Sequence, residues 1–144
     1  MVEQDTIRLL RECDAGVKMG VSSIQDVLDY VRDENLKTTL TDYKAEHEKL
    51  DVEISGLLYS YHDDGKEPAA MAKAMSHAKT SMKLAMNESD ATIADLMTDG
   101  CNMGVKSLNK YLNKYKAADE KSKEITKRLI DLEQRMTFDM QKYL

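Results

Sequence analysis

The side chains of this chain whose types and spacing could do chemistry are few, and four of them stand together: Asp14, His47, Glu48 and Asp51. Asp14 interrupts the apolar series Ile7, Leu10, Val17, Val21, Ile24, Leu28 and Val31. A carboxylate on such a seam is costly unless something pairs with it. Counted back from the turn between the first two helices, Asp14 falls level with Asp51. Glu48 is close by and His47 is about one helical turn away. Carboxylate and imidazole groups in that arrangement suit a divalent metal such as iron. The bland alternative is a polar group satisfied inside the protein, with Asp14 bonded to Thr98, His47 or a water.

The second set is sulfur. Met71, Met75, Met82 and Met86 share one helix face. Thioethers suit Cu(I), yet His77 falls about 120° or more away at roughly 100° per residue and does not join them. Methionine is a flexible filler of cores and a lining of adaptable binding surfaces. Core or partner packing is therefore the leading reading of this face, ahead of a peptide or lipid groove. Cys13 and Cys101 sit within helical segments with no histidine at helical spacing, so a thiolate nucleophile lacks its base. No glycine-rich phosphate loop, Ser/His/Asp set or zinc-type cysteine spacing occurs.

The elements that must position these residues are long helices. One proline and six glycines in 144 residues leave few breakers. A heptad-like seam in steps of three and four predicts helix 1 from about Gln4 to Val31. Asp33 is placed to cap helix 2, with seam Leu36, Leu40, Tyr43, His47, Leu50, Ile54 and Leu57 or Leu58. His62–Glu67 is a loop closed by Pro68, where helix 3 begins and runs to Met86. Asn87–Asp90 holds a new cap, and helix 4 runs to about Tyr115. Asp119 caps helix 5, with seam Ile125, Leu129, Leu132, Met136 and Met140.

An internal repeat organises these helices. Gly16–Leu28 and Gly100–Leu112 match at six of thirteen positions, 84 residues apart. That spacing is too long for a solenoid unit and fits two helical hairpins. The expected organisation is one domain: hairpin 1 at about 4–62, a crossover helix at about 68–86, and hairpin 2 at about 88–143. Gly16/Gly20 and Gly100/Gly104 put two glycines one turn apart in each half. Glycine in a helix interior costs about 0.5–1 kcal/mol against alanine. The pairs are therefore read as helix-packing sites, where helices 1 and 4 approach closely within the bundle or across a dimer.

The net charge of −5 and pI near 5.2 argue against a nucleic-acid partner. No window approaches the roughly eighteen apolar residues of a membrane span. The first residues lack the basic-then-apolar pattern of a secretory signal. Cytoplasmic location and reduced thiols are the expectation.

The paired hairpins, the Met-Gly-Val-x-Ser cores at Met19–Ser23 and Met103–Ser107, and the crossover segment resemble ferritin-like four-helix-bundle proteins. More narrowly, the chain is similar to bacterial, clostridial-type members of that group lacking the usual di-iron ligands. The resemblance implies an all-α, ferritin-like four-helix bundle of two pseudo-symmetric hairpins joined by a Met-rich crossover helix. Metal-binding members carry inward Glu and Glu-x-x-His ligands. Here the residues three before His47, His62 and His77 are Lys44, Tyr59 and Ala74, so that motif is missing. At the matching levels stand Asp14, then Glu48 with Asp51, and in the second half Thr98 or Asp99, then Glu133 with Met136. The resulting expectation is a non-catalytic cytosolic protein without a cofactor, a homodimer or a binder of a protein partner. The alternative is a degenerate or mononuclear site for iron or another divalent metal on helices 1 and 2.

Overall fold

The computed structural model describes residues 2–144 and is all-helical, with no strand among them. Five α-helices follow one another: α1 Val2–Leu28, α2 Glu34–Ser60, α3 Ala70–Met86, α4 Asp90–Lys114 and α5 Glu120–Met140, with a final 3₁₀ turn at Gln141–Tyr143.

Capping chemistry sets the starts. Side-chain oxygens of Asp33, Ser89 and Asp119 accept from the backbone N–H groups of Leu36, Thr92 and Ser122. Each satisfies one of the free donors at a helix start. The ends differ slightly from the sequence reading. α1 stops at Leu28 instead of Val31. There the chain tightens into i→i−3 bonds from Tyr30 and Val31. The Arg32 and Asp33 N–H groups then donate to the Asp90 carboxylate at 2.9 Å each. α3 starts at Ala70, two residues after Pro68, with no side-chain cap.

Contacts between helix ends fix the directions. The α1–α2 turn meets the start of α4 through Asp90. The α4–α5 turn meets the start of α1, where Ala117 N–H donates to Asp5 and Asp119 N–H to Thr6 Oγ1. α4 therefore runs opposite to α1. α5 begins beside α1's start and ends where the Tyr43 hydroxyl donates to Asp139. α3 spans the length of the molecule between the end of α2 and the start of α4.

The core lies between α1, α2, α4 and α5, with Leu10, Val17, Ile24, Leu40, Ile54, Ile93, Ile125 and Leu129 all buried. Counted from the caps Asp33 and Asp119, α2 and α5 bury the same positions. These are the third, seventh, tenth, fourteenth, seventeenth and twenty-first residues, Leu36 to Ile54 in α2 and Ser122 to Met140 in α5. α3 lies at the margin of this core, to which it gives Leu84, and otherwise buries only Thr80. Met71, Met75, Met82 and Met86 are 64–82% exposed. The core-packing reading of these methionines is thus corrected: the apolar stripe of α3 faces outward.

Candidate functional site: two buried polar pairs

His47, on α2, is the fourteenth residue after its cap and is fully buried. Its Nδ1 lies 2.7 Å from the Tyr43 carbonyl oxygen, which only accepts, so Nδ1 carries hydrogen. Its Nε2 lies 3.0 Å from Glu133 Oε1, the fourteenth residue after the cap of α5. Burial lowers the His47 pKa, but the hydrogen bond and charge of Glu133 outweigh it and hold the ring above its ordinary value. The pair is an imidazole–carboxyl contact in the interior, an ion pair when His47 is protonated. Such pairs are held by geometry, because desolvation offsets much of their attraction.

The repeated glycines frame this pair. A Cβ on Gly20 would come within 2.8 Å of the His47 ring. Gly104 faces the Glu133 carboxyl, 3.6 Å from where its Cβ would stand. Gly16 meets only Leu129 at 4.0 Å, and Gly100 meets nothing within 4 Å. Within the chain, the glycines therefore do not mark a close approach of α1 to α4. The neighbours they meet belong to α2 and α5, and only Gly20 is tightly enclosed.

The second pair joins α1 to α2. Asp14 is 1% exposed. Its Oδ2 accepts from Lys66 N–H at 2.8 Å and from Lys18 Nζ at 3.0 Å. Lys18 also reaches Glu67 at 3.1 Å. Asp14 Oδ1 and Asp51 Oδ1 are buried and receive no hydrogen bond from any N–H or O–H of the described residues. The Asp51 carboxyl is pushed up to about 6 by burial and by the adjoining Asp14 carboxyl. Below that pH a proton on Asp51 can serve the unpaired oxygens, since two adjacent carboxylates do not readily ionise together. The loop after α2 covers the pair. Gly65 takes φ +88°, and a Cβ there would overlap Asp14 Oδ2. Its N–H is held by Asp63 at 2.9 Å.

The four residues considered for a metal are thus divided. Asp14 does meet Asp51, as their level on the helices suggested. His47 turns to Glu133, and Glu48, with its side chain 55% exposed, pairs with Lys44. In the second half, the Thr98 hydroxyl donates to the Ala94 carbonyl and Met136 is buried in the core. Among the described residues no three His, Cys, Asp or Glu side chains are placed to hold a metal ion. With Lys18 supplying positive charge at Asp14, these residues do not fit a di-iron centre.

Both cysteines are buried and free. Burial pushes the Cys13 thiol up to about 12, and it lies 3.2 Å from Thr126 Oγ1. Burial, then the Glu133 charge, raises Cys101. Both remain protonated and unreactive near neutrality. A cavity of about 190 Å³ between α1 and α3 is lined in part by His77 and Asp26, 3.4 Å apart. An open groove of about 680 Å³ between α2 and α5 is lined by mixed charges, of which Arg128 and Arg135 are already paired.

The His47–Glu133 contact escapes a reading based on the 84-residue repeat, which aligns Glu133 with Lys49. The signal that finds it is the pair of caps, because both residues stand the same distance beyond Asp33 and Asp119. Compared with protein-family models, curated proteins and solved structures, the chain matches none.

Proposed function

We propose that this chain is a non-catalytic, ferritin-like four-helix bundle that acts through helix-mediated contacts, first with a second copy of itself. The reading rests on one observation: α3 carries four exposed methionines on the side away from the core. An extended apolar surface of that kind is a mark of an interaction site.

The four-helix, pseudo-symmetric arrangement is supported by details in both hairpins. The same six positions are buried in α2 and α5. Gly20 borders His47 as Gly104 borders Glu133. The long crossover between hairpins is the connection ferritin-like bundles use. Two free, buried cysteines suit a reducing compartment such as the cytoplasm. A degenerate metal site on α1 and α2 has only the Asp14–Asp51 pair in its favour.

Sedimentation velocity over a wide concentration range tests the proposal. Self-association gives a mass rising from 16.4 kDa toward twice that value. A mass of 16.4 kDa at every concentration removes it.

A further inference from the structure

The outward side of α3 has a structure of its own. At about 100° per residue, an arc of about 160° contains only alanine, methionine and Ser81. Its borders are charged but occupied. On one side His77 pairs with Asp26 of α1 at 3.4 Å. On the other, Lys79 pairs with Asp99 and Lys83 with Asp95, both on α4, at 3.6 and 3.2 Å. The next rung of that α3–α4 ladder brings Met75 level with Met103, which is 69% exposed and widens the apolar surface.

Within the arc, Met71, Met75, Ala78, Met82 and Ala85 follow in steps of four, three, four and three. That is the a/d seam of a coiled coil, which needs a facing helix. The stripe also reads alike from both ends. Met71 and Met86 are equally far from the centre, as are Met75 and Met82, with Ala78 beside the midpoint. Self-complementarity of this kind is what a twofold contact requires.

We infer that the occupant of this face is α3 of a second copy, packed antiparallel about a twofold axis near Ala78. This deepens the self-association reading above and rests on it. Met75 of one copy then opposes Met82 of the other, and the small Ala78 lets the helices approach at the centre.

Charge favours this occupant. α3 carries three lysines and, alone among the five α-helices of the described residues, no acidic residue, so the rest of a chain of net charge −5 carries −8. An anionic membrane surface would be repelled by that remainder. Two copies meeting at α3 bring like flanks together, and these do not repel because their lysines are already paired. The flank bearing Lys79 and Lys83 also bears Asp95 and Asp99, so it is neutral as a set. Seventeen residues make a strip only about 25 Å long. At about 10 Å wide it covers on the order of 250 Å², below the roughly 800 Å² per partner of a stable complex, so the dimer is concentration-dependent.

The test combines sedimentation with cysteine cross-linking, using the full chain. The native Cys13 and Cys101 are buried, which keeps the background low. The double variant Met75→Glu/Met82→Glu should weaken the dimer at least tenfold while circular dichroism stays helical. Ala78→Cys should form an intermolecular disulfide on mild oxidation, whereas Met71→Cys should not link to itself. A dimer unaffected by the double variant would move self-association to another face and overturn this assignment alone. Self-linking of Met71→Cys would mean parallel packing and overturn it too. A monomer at all concentrations would remove both this assignment and the reading it rests on.

Discussion

His47 and Glu133 meet at 3.0 Å inside the protein, each fourteen residues beyond the aspartate that caps its helix. One contact therefore ties the two hairpins together through corresponding positions. Removing either partner leaves the other charge buried and alone, which costs about 3–5 kcal/mol. His47→Ala and Glu133→Ala should each lose that much in urea unfolding, and the double variant less than their sum. Glu133→Gln retains a hydrogen-bonding group and should lose about 1–2 kcal/mol. Additive losses would mean the pair is not coupled.

Both interior pairs make stability fall as pH rises, in separate windows. Asp51 is raised from 3.8 to about 6, so its protonated form is favoured by folding. Its contribution is present below about 4 and is lost by about 6. His47 is raised from 6.5, so its contribution is full below 6.5 and is lost as pH passes its higher folded value. Melting temperatures from pH 4 to 9 should show both declines. Asp51→Asn should abolish the first and stabilise the protein at pH 7 by on the order of 1 kcal/mol, after discounting for solvent screening. Glu133→Gln should abolish the second.

The four repeated glycines should separate under alanine substitution. Gly20→Ala drives a Cβ into the His47 ring and should cost about 1–3 kcal/mol. Gly100→Ala meets open space and should gain about 0.5–1 kcal/mol from helix propensity alone. Gly104→Ala should be near neutral or better. Equal effects at Gly20 and Gly100 would contradict the packing described. Gly65→Ala combines positive φ with overlap on Asp14 and should destabilise in the same chemical-denaturation assay.

Neither Cys13 nor Cys101 should react with a thiol reagent in the native protein at neutral pH, because burial keeps both protonated. Two thiols should appear on unfolding in urea. Rapid native labelling of either would place it at the surface.

Lys18 sets a positive charge 3.0 Å from Asp14 Oδ2, which disfavours a cation there. Stoichiometric Zn(II), Mn(II) or anaerobic Fe(II) should therefore leave the melting temperature unchanged, since only a ligand of the native state raises it. A rise that Asp14→Ala removes would restore the metal reading.

Much of the architecture is legible in the residues. Steps of three and four mark the seams of α2 and α5, and Asp33 and Asp119 mark their starts, because caps and periodicity are local properties. The level of Asp14 with Asp51 follows from counting along two antiparallel helices. The end of α1 is less legible, since Asp90, 58 residues beyond Arg32, draws the chain away.

By itself, then, the sequence determined five helices, the caps Asp33 and Asp119, the inward faces of α2 and α5, and the meeting of two carboxyls; on α1 the buried Leu9, Cys13 and Val27 lie off the seam read from the sequence. Only the tertiary structure decided that the methionine face of α3 points outward, that His47 pairs with Glu133, and that Gly20 alone among the repeated glycines is enclosed. The reason is physical. Periodicity tells which residues share a face, but whether that face finds a neighbour depends on the space left by other helices. A helix at the margin of a filled core has nothing to bury its outward stripe against.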